Sequence, residues 1–487
     1  MDFLLSSKQL ECLALYRYLA SKGESTVIVK DIMEETGWTR YRILQNTVML
    51  NEDLQTLMPD EDDYLLTEYA NRVISIKNLQ QVNDVVLIGY YLRNSLKFDI
   101  LLDLLLEEVN SNNMIAERHS SSATATRLAR NELNDSLKLQ GIEISNDLQL
   151  IGNEKNIRIL LFQILHTAYS DQRLPFPEYV HRTSDQIEQM AAEQAEIRST
   201  VKNALRVFWG IWQIRLRHHH FINVPCNYLF KERNLLSTSA TKFVAFNDQL
   251  VAILTPNGEE IRQDEVFFGL GAIYSLGIGH GTYRFGNLSP NLQQQFNDLY
   301  AIIADEYTAF FGSEQDADTM AKLQGFLFAF NLRVLFFNQS GDSHPVMHAP
   351  AKRAFPIHVE FTQRVLVRLA PLFNLPPEQA LEVGFNEYFN TFILTLPIKH
   401  MLPEISVTLD FVDMPSLEEI IKKRMQRWTS VNISVANYLT DNTDLYLSNI
   451  KLSDDIPGFT WRSFPDFEDM QAVHAALVAM TVEKFHQ

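Results

Sequence analysis

Apolar positions along the first 76 residues recur with helical spacing and then with strand spacing. From Lys8 to Ala20 the series Leu10, Leu13, Leu15 and Tyr18 marks an amphipathic helix. Val29 to Thr36 reads as a short second helix, and Gly37 ends it because glycine tolerates left-handed backbone. Thr39 then caps a third helix that carries Arg40, Tyr41, Arg42, Gln45 and Asn46 near its start, ahead of apolar Val48 and Leu50. Between Asp62 and Ile76, Tyr64 and Leu66 and then Ile74 and Ile76 alternate as in a hairpin. Three helices followed by a hairpin form a winged helix-turn-helix pattern, with an ordinary three-helix packing unit as the other reading.

The pattern repeats. Val86 to Val109 is a long apolar helical region, Asn110 to Asn113 a turn, and Met114 to His119 a short helix. The segment from Ser120 to Leu137 begins with small polar residues and continues as an amphipathic helix. Ser121, Ser122, Thr124 and Thr126 have the chemistry to cap that helix and to donate to phosphate. Arg127 and Arg130 are expected to project from one face, where a base edge or phosphate would lie. Leu128, Leu133 and Leu137 are expected to form the buried stripe. Gly141 stops the helix, and Ile142 to Leu150 alternates around an Asn146-Asp147 turn as a wing. Two such patterns in tandem are far more specific than one.

From Asn153 the spacing is helical for most of the next stretch. Phe162 to Tyr169, Thr183 to Leu216, Leu292 to Phe311, Ala321 to Phe337, His358 to Leu372 and Pro377 to Leu394 all carry it. A turn-rich break at Gly281 to Pro290 divides this region into two helical blocks, and a Pro-containing loop runs from Ser340 to Pro356. After Pro403 strands alternate with helices. Ile405 to Phe411, Val431 to Tyr438 and Leu445 to Ile450 read as strands. Ser416 to Trp428, capped by Ser416 with Glu419 three residues on, and Phe467 to Phe485 read as helices. That order predicts a small α/β domain with a mostly parallel sheet. The fold class expected is therefore mostly α and multidomain. Its predicted domains are residues 1–76, 77–160, 161–285, 286–398 and 399–487.

Charge changes the picture. The chain has 487 residues and a net charge of −18, which opposes indiscriminate attraction to phosphates. Residues 114–140 are locally balanced, with Arg118, Arg127, Arg130 and Lys138 against Glu117, Glu132 and Asp135. A DNA reader of this kind binds through a few local contacts and gains from dimerisation. Only Cys12 and Cys226 are present, so a reducing cytoplasm and no disulfide framework are expected. The first residues lack the basic and apolar segments of a secretion signal, and no unbroken run of 18 apolar residues predicts a membrane span.

The text Arg127-Leu-Ala-Arg-Asn-Glu-Leu-Asn-Asp-Ser-Leu137, then Gly141-Ile-Glu-Ile-Ser145, then Leu150-Ile-Gly-Asn-Glu-Lys-Asn-Ile-Arg158 resembles the Mga/AtxA family of transcriptional regulators of Gram-positive bacteria. The resemblance extends to the whole order of elements. It implies that the two helical blocks are regulation domains phosphorylated by the sugar phosphotransferase system, with its phosphocarrier protein as partner. It also implies an EIIB-like tail that mediates homodimerisation, and an activator of virulence or carbohydrate-responsive genes bound to double-stranded DNA.

A phosphoryl acceptor must be an accessible imidazole with one nitrogen free. His218, His219 and His220 lie just past an amphipathic helix whose face is Val201, Leu205, Phe208 and Trp212, with Arg215 and Arg217 placed to steady a phosphoryl group. A polar helix end favoured by the dipole is the competing reading of this triplet. In the second block His400 and His358 are the candidates. A transition-metal site at the triplet is disfavoured, since consecutive residues cannot all face one ion. In an EIIB transporter component a phosphoryl-accepting cysteine follows the first strand; here that place is Phe411-Val-Asp-Met-Pro-Ser416. The apolar face Met470, Val473, Ala476, Leu477 and Met480 would then cover the sheet or a partner. Gly269-Leu-Gly271, with Gly277, Gly279 and Gly281, lacks dinucleotide-loop spacing and reads as helix packing and a turn. No enzymatic motif, cofactor or membrane partner is expected, with a phosphotransfer relay or a helical scaffold as the rival functions.

Overall fold

The computed structural model describes residues 1–22, 25–58, 64–70, 72–79, 82–170, 172–194, 198–223, 263–277, 287–337 and 348–487. Cys226, Gly279, residues 281–286 of the predicted break, 340–347 of the Pro-containing loop and the first two residues of the first hairpin lie outside these. The chain divides into two compact units. One holds residues 1–293 and 329–339, the other 294–328 and 340–487.

The first unit opens with α1 (Ser7–Lys22), α2 (Val29–Thr36) and α3 (Arg40–Leu57). Gly37 ends α2 in the left-handed region at φ 70°, and the Thr39 hydroxyl accepts from Arg42 N at the start of α3. Strands β1 (Thr26–Ile28), β2 (Leu65–Glu68) and β3 (Val73–Ile76) form an antiparallel sheet in the order β1-β3-β2. The strand β1 is too short for alternation to reveal it; pairing of Val27 with Ile74 creates it.

The long apolar region breaks into α4 (Asp84–Arg93) and α5 (Leu96–Leu106). Ser95 sits between them in extended backbone, its hydroxyl donating to Leu4 O at 2.5 Å. Helices α6 (Asn112–Arg118) and α7 (Ala123–Lys138) follow, and β4 (Ile142–Ile144) pairs with β5 (Leu150–Gly152) as the wing. Helix α8 (Glu154–Ala168) contains the predicted boundary at residue 160. One hydrophobic core runs from Leu13 and Ile43 through Leu104 and Leu133 to Ile164, Val207 and Ile211.

The predicted helix Thr183–Leu216 is two helices, α9 (Glu178–Gln194) and α10 (Ser199–Arg217). Helix α11 (Gln263–Ser275) packs so closely on α10 that a Cβ at Gly269 would stand 2.1 Å from the Trp212 ring. Gly269 is therefore a helix-packing glycine, and Gly277 is a turn at φ 83°. Helices α12 (Pro290–Phe311) and α13 (Ala317–Phe337) come next. Helix α13 is long and apolar enough to cross a membrane by length and composition, which a search for unbroken apolar runs misses. In the fold 56% of its apolar window is buried inside the protein, as in a core helix.

In the second unit α14 (His348–Ala354) precedes the paired helices α15 (Pro356–Phe373) and α16 (Pro377–Thr395). Phe361 of α15 meets the Tyr307 ring edge-on and the Phe310 and Phe392 rings at a tilt. The C-terminal module is a four-stranded parallel sheet of β6 (Glu404–Asp410), β7 (Asn432–Ala436), β8 (Leu445–Ser448) and β9 (Gly458–Thr460), in the order β7-β6-β8-β9. Ile405, Val407, Leu409, Leu445 and Leu447 cluster with Ile421 and Met425 of α17 (Pro415–Gln426). Met470, Val473 and Leu477 of α18 (Phe467–Phe485) join the same cluster, so this helix covers the sheet. Ser416 does not cap α17. Pro415 occupies its first turn, Met414 is the cap residue without a side-chain bond, and Glu418 instead accepts from Phe411 N at 2.8 Å.

Candidate nucleic-acid interface and histidine segment

Helix α7 starts where Ser122 breaks from extended backbone and its hydroxyl accepts from Ala125 N at 3.1 Å. The preceding turn is tight: Ser120 lies at φ 51°, and Ser121 N donates to Ala116 O. The buried stripe of α7 is Thr126, Leu133 and Leu137, each 0% exposed. Two expectations are corrected here. Leu128 is 59% exposed and lies about 180° around the helix from Leu137. Thr126 faces the core, and its hydroxyl has no partner among the described residues. It therefore cannot serve a phosphate.

The outward face carries Thr124, Arg127, Leu128 and Asn131. Arg127 is exposed and has no carboxylate partner among the described residues. Arg130 is half-buried, about 60° around the helix from Arg127. Its Nη2 donates to Asn131 Oδ1 at a long 3.4 Å. Three other local charges are paired: Glu132 with Lys97, Lys138 with Glu143, and Arg118 with buried Asp103 at 2.7 Å. His119 also meets Asp103, at 2.8 Å, so this carboxylate ties the end of α6 to α5.

In the first helix-turn-helix Tyr41 is 75% exposed and Gln45 is exposed. Arg40 Nη2 donates to Ala70 O at the tip of the β2–β3 hairpin. Arg42 is exposed but engaged. It pairs with Glu11 at 2.8 Å and stacks on Trp38 at 4.5 Å. Hydrogen bonds from Asn46 and Arg42 hold the Glu11 carboxyl below its ordinary range. The hairpin tip presents Tyr69, 75% exposed, which sequence reasoning missed because its left-handed backbone at φ 51° has no signature in a non-glycine residue.

The histidine triplet ends α10. His218 is the cap residue, His219 turns into the left-handed region at φ 59°, and His220 N donates to Arg215 O. His219 is exposed, beside Phe221. His220 Nε2 lies 2.5 Å from Glu107 Oε1, and His218 Nδ1 lies 3.5 Å from Glu107 Oε2. Glu107 follows α5 at φ 53°, so it reaches the triplet from the stretch that carries α7. Burial pushes its carboxyl up, but His220, His218 and Arg215 outweigh burial and leave it below the ordinary range.

Of the two arginines beside the triplet, buried Arg215 is closed to a phosphoryl group, whereas Arg217 is exposed. Arg215 is 0% exposed and donates to Glu154 and Glu107. Arg217 lies over the Tyr179 ring at 4.4 Å. Behind them Arg158 is bound by Glu154 and Glu265 and donates to His220 O. Glu265 also accepts from Trp212 Nε1 and Ile222 N, which pins the backbone after the triplet. Glu107, Glu154 and Glu265 escaped sequence reasoning, since they come from three distant segments.

In the second unit His400 is exposed on a short 3₁₀ turn. His358 is only 3% exposed, and its Nδ1 has no partner among the described residues. Burial pushes its imidazole down to about 4. Its place in the third position of α15, facing the core, closes it to a phosphoryl donor. Among the described residues no three His, Cys, Asp or Glu side chains converge as metal ligands would.

No curated protein matches the chain. Residues 80–165, which span α4, α5, α6, the Ser122-capped helix α7, its wing and most of α8, are similar to the Mga helix-turn-helix domain family.

Proposed function

We propose that the protein is a cytoplasmic, DNA-binding transcriptional regulator that reads double-stranded DNA through α7. The observation that carries this reading is the outward face of α7, where exposed Arg127 has no carboxylate partner among the described residues, on a helix followed by a wing, in the stretch similar to the Mga helix-turn-helix domain. With a net charge of −18 the body repels phosphates, so two copies on one site raise affinity through effective concentration. Homodimerisation through the C-terminal α/β module fits that need.

Control by histidine phosphorylation, with the phosphocarrier of the sugar phosphotransferase system as donor, belongs to the same proposal. A phosphoryl group brings roughly two negative charges. On His218 or His220 it would face Glu107, and on His220 Nε2 it would replace the Glu107 contact outright. Phosphorylation would therefore loosen the tie between α5 and the end of α10. His219 and His400 are the more exposed acceptors. Activation of virulence or carbohydrate-responsive genes is the expected output.

The test is selection of duplexes by the full-length protein from a randomised pool, followed by titration at several salt concentrations. Arg127→Ala with Arg130→Ala should abolish selective binding and lower the salt slope by one to two contacts. Unchanged binding and slope would refute the α7 assignment. Labelling by the phosphorylated phosphocarrier protein should fall in a His218→Ala/His219→Ala/His220→Ala variant; full labelling would remove the triplet.

A further inference from the structure

Leu128 lies outside the hydrophobic core of the first unit. It lies 59% exposed on the side of α7 opposite the core, while Leu133 and Leu137 are fully buried. A single exposed leucine is ordinary on a protein surface. What sets Leu128 apart is its place: Arg127 precedes it, Thr124 and exposed Ala125 stand one turn before it, and Asn131 and Glu132 stand one turn after, the Glu132 charge being met by Lys97. An apolar side chain among mainly hydrogen-bonding groups matches a surface that is polar with one apolar spot. The major-groove edges of DNA have that character, and the thymine C5-methyl is the apolar group they present.

We propose that Leu128 is a sequence-reading residue that packs on a thymine methyl group in the major groove. The inference rests on the DNA-binding reading of α7 and adds the base that one position requires. Arg127, with no carboxylate partner among the described residues, supplies the neighbouring contact to phosphate or to guanine. Helix α7 enters N-terminus first, so a residue in its second turn reaches base edges while the Ser122 end meets the backbone.

Duplexes selected by the full chain are rebuilt with each thymine exchanged in turn for uracil, which removes only the methyl. Burying one such group is worth about fourfold in affinity. At one thymine per half-site the wild-type protein should lose about fourfold on the exchange. Leu128→Ala should bind the thymine duplex about fourfold more weakly and be indifferent to uracil at that position. Because Leu128 is exposed, the variant should keep the wild-type melting temperature. A wild-type protein indifferent to uracil at every position overturns the proposal, as does a variant that keeps the full uracil response. A Leu128→Ala variant that loses only self-association also overturns it, and makes the residue a protein contact. Arg127→Ala separates the two levels: if it abolishes binding while the uracil scan is flat, only the Leu128 assignment falls. If it changes nothing, or no duplex is selected, the DNA-binding reading of α7 falls with it.

Discussion

Replacement of Glu265 by alanine probes the network that holds the histidine segment. Glu265 is 0% exposed and accepts four bonds: Arg158 Nη1 at 2.7 Å, Arg158 Nη2 at 3.0 Å, Trp212 Nε1 at 2.8 Å and Ile222 N at 2.6 Å. Burial opposes the Arg158 charge, and Glu265 with Glu154 outweighs that cost. Removing one partner of a buried pair costs about 3–5 kcal/mol, because the other charge stays in the interior. Orphaned N–H groups on Trp212 and Ile222 add to this, each at about 1–3 kcal/mol where water does not replace the acceptor. The terms overlap, so the expected loss for Glu265→Ala is about 4–6 kcal/mol. That is a large share of a typical domain's stability of about 5–15 kcal/mol.

The assay is hydrogen exchange against urea, read on peptides from α8 and α10, which isolates the opening of this region. Arg158→Met with Glu265→Leu removes both charges and should recover at least half of the loss, since paired removal leaves no buried ion. Because Ile222 N loses its acceptor, proteolysis just after the triplet should also accelerate in Glu265→Ala. A loss below about 1.5 kcal/mol, or no recovery in the double variant, would refute the reasoning.

Three further outcomes are expected. His358 remains neutral in the folded chain down to about 4, whereas an unfolded histidine takes a proton below about 6.5. Its contribution is thus complete above pH 6.5 and is lost as pH falls toward 4, to a ceiling of roughly 3 kcal/mol. His358→Leu should flatten that part of the stability-pH curve, and an identical slope in wild type and variant would contradict it. Thr126→Val should leave DNA binding unchanged and be neutral or stabilising by up to about 1 kcal/mol, because the hydroxyl is buried without a partner; weakened binding would return Thr126 to the interface. Ser122→Ala should cost about 1 kcal/mol by removing the α7 cap, seen as faster exchange in the first turn of α7.

The elements with strong local chemistry were legible. Thr39 and Gly37 bound their helices as capping rules require, and the Asn146-Asp147 turn lies between the two strands of its wing. The helix read from Ser120 to Leu137 begins at Ala123, behind a Ser122 cap. The strand β9 was missed, as was the division of Thr183–Leu216 into α9 and α10. A three-residue strand has no period to detect, and continuous apolar spacing hides a short break. At the candidate interface Arg127 and Tyr41 are exposed, Arg42 is exposed but paired with Glu11, and Thr126 is buried; at the histidine segment Arg215 is buried against Glu154.

The sequence by itself determined most of the longer helices, the caps and glycines that end several of them, and the alternation of helices with strands in the C-terminal module. Those properties depend on backbone geometry within a few residues. Only the tertiary structure decided which side of α7 is buried, because Leu128 and Thr126 exchange roles according to what packs against the helix. It alone placed Glu107 against His220, 113 residues later, and Glu265 against Arg158, 107 residues earlier. Burial of a charge is settled by whether an opposite charge arrives from elsewhere in the chain, and no local pattern records that.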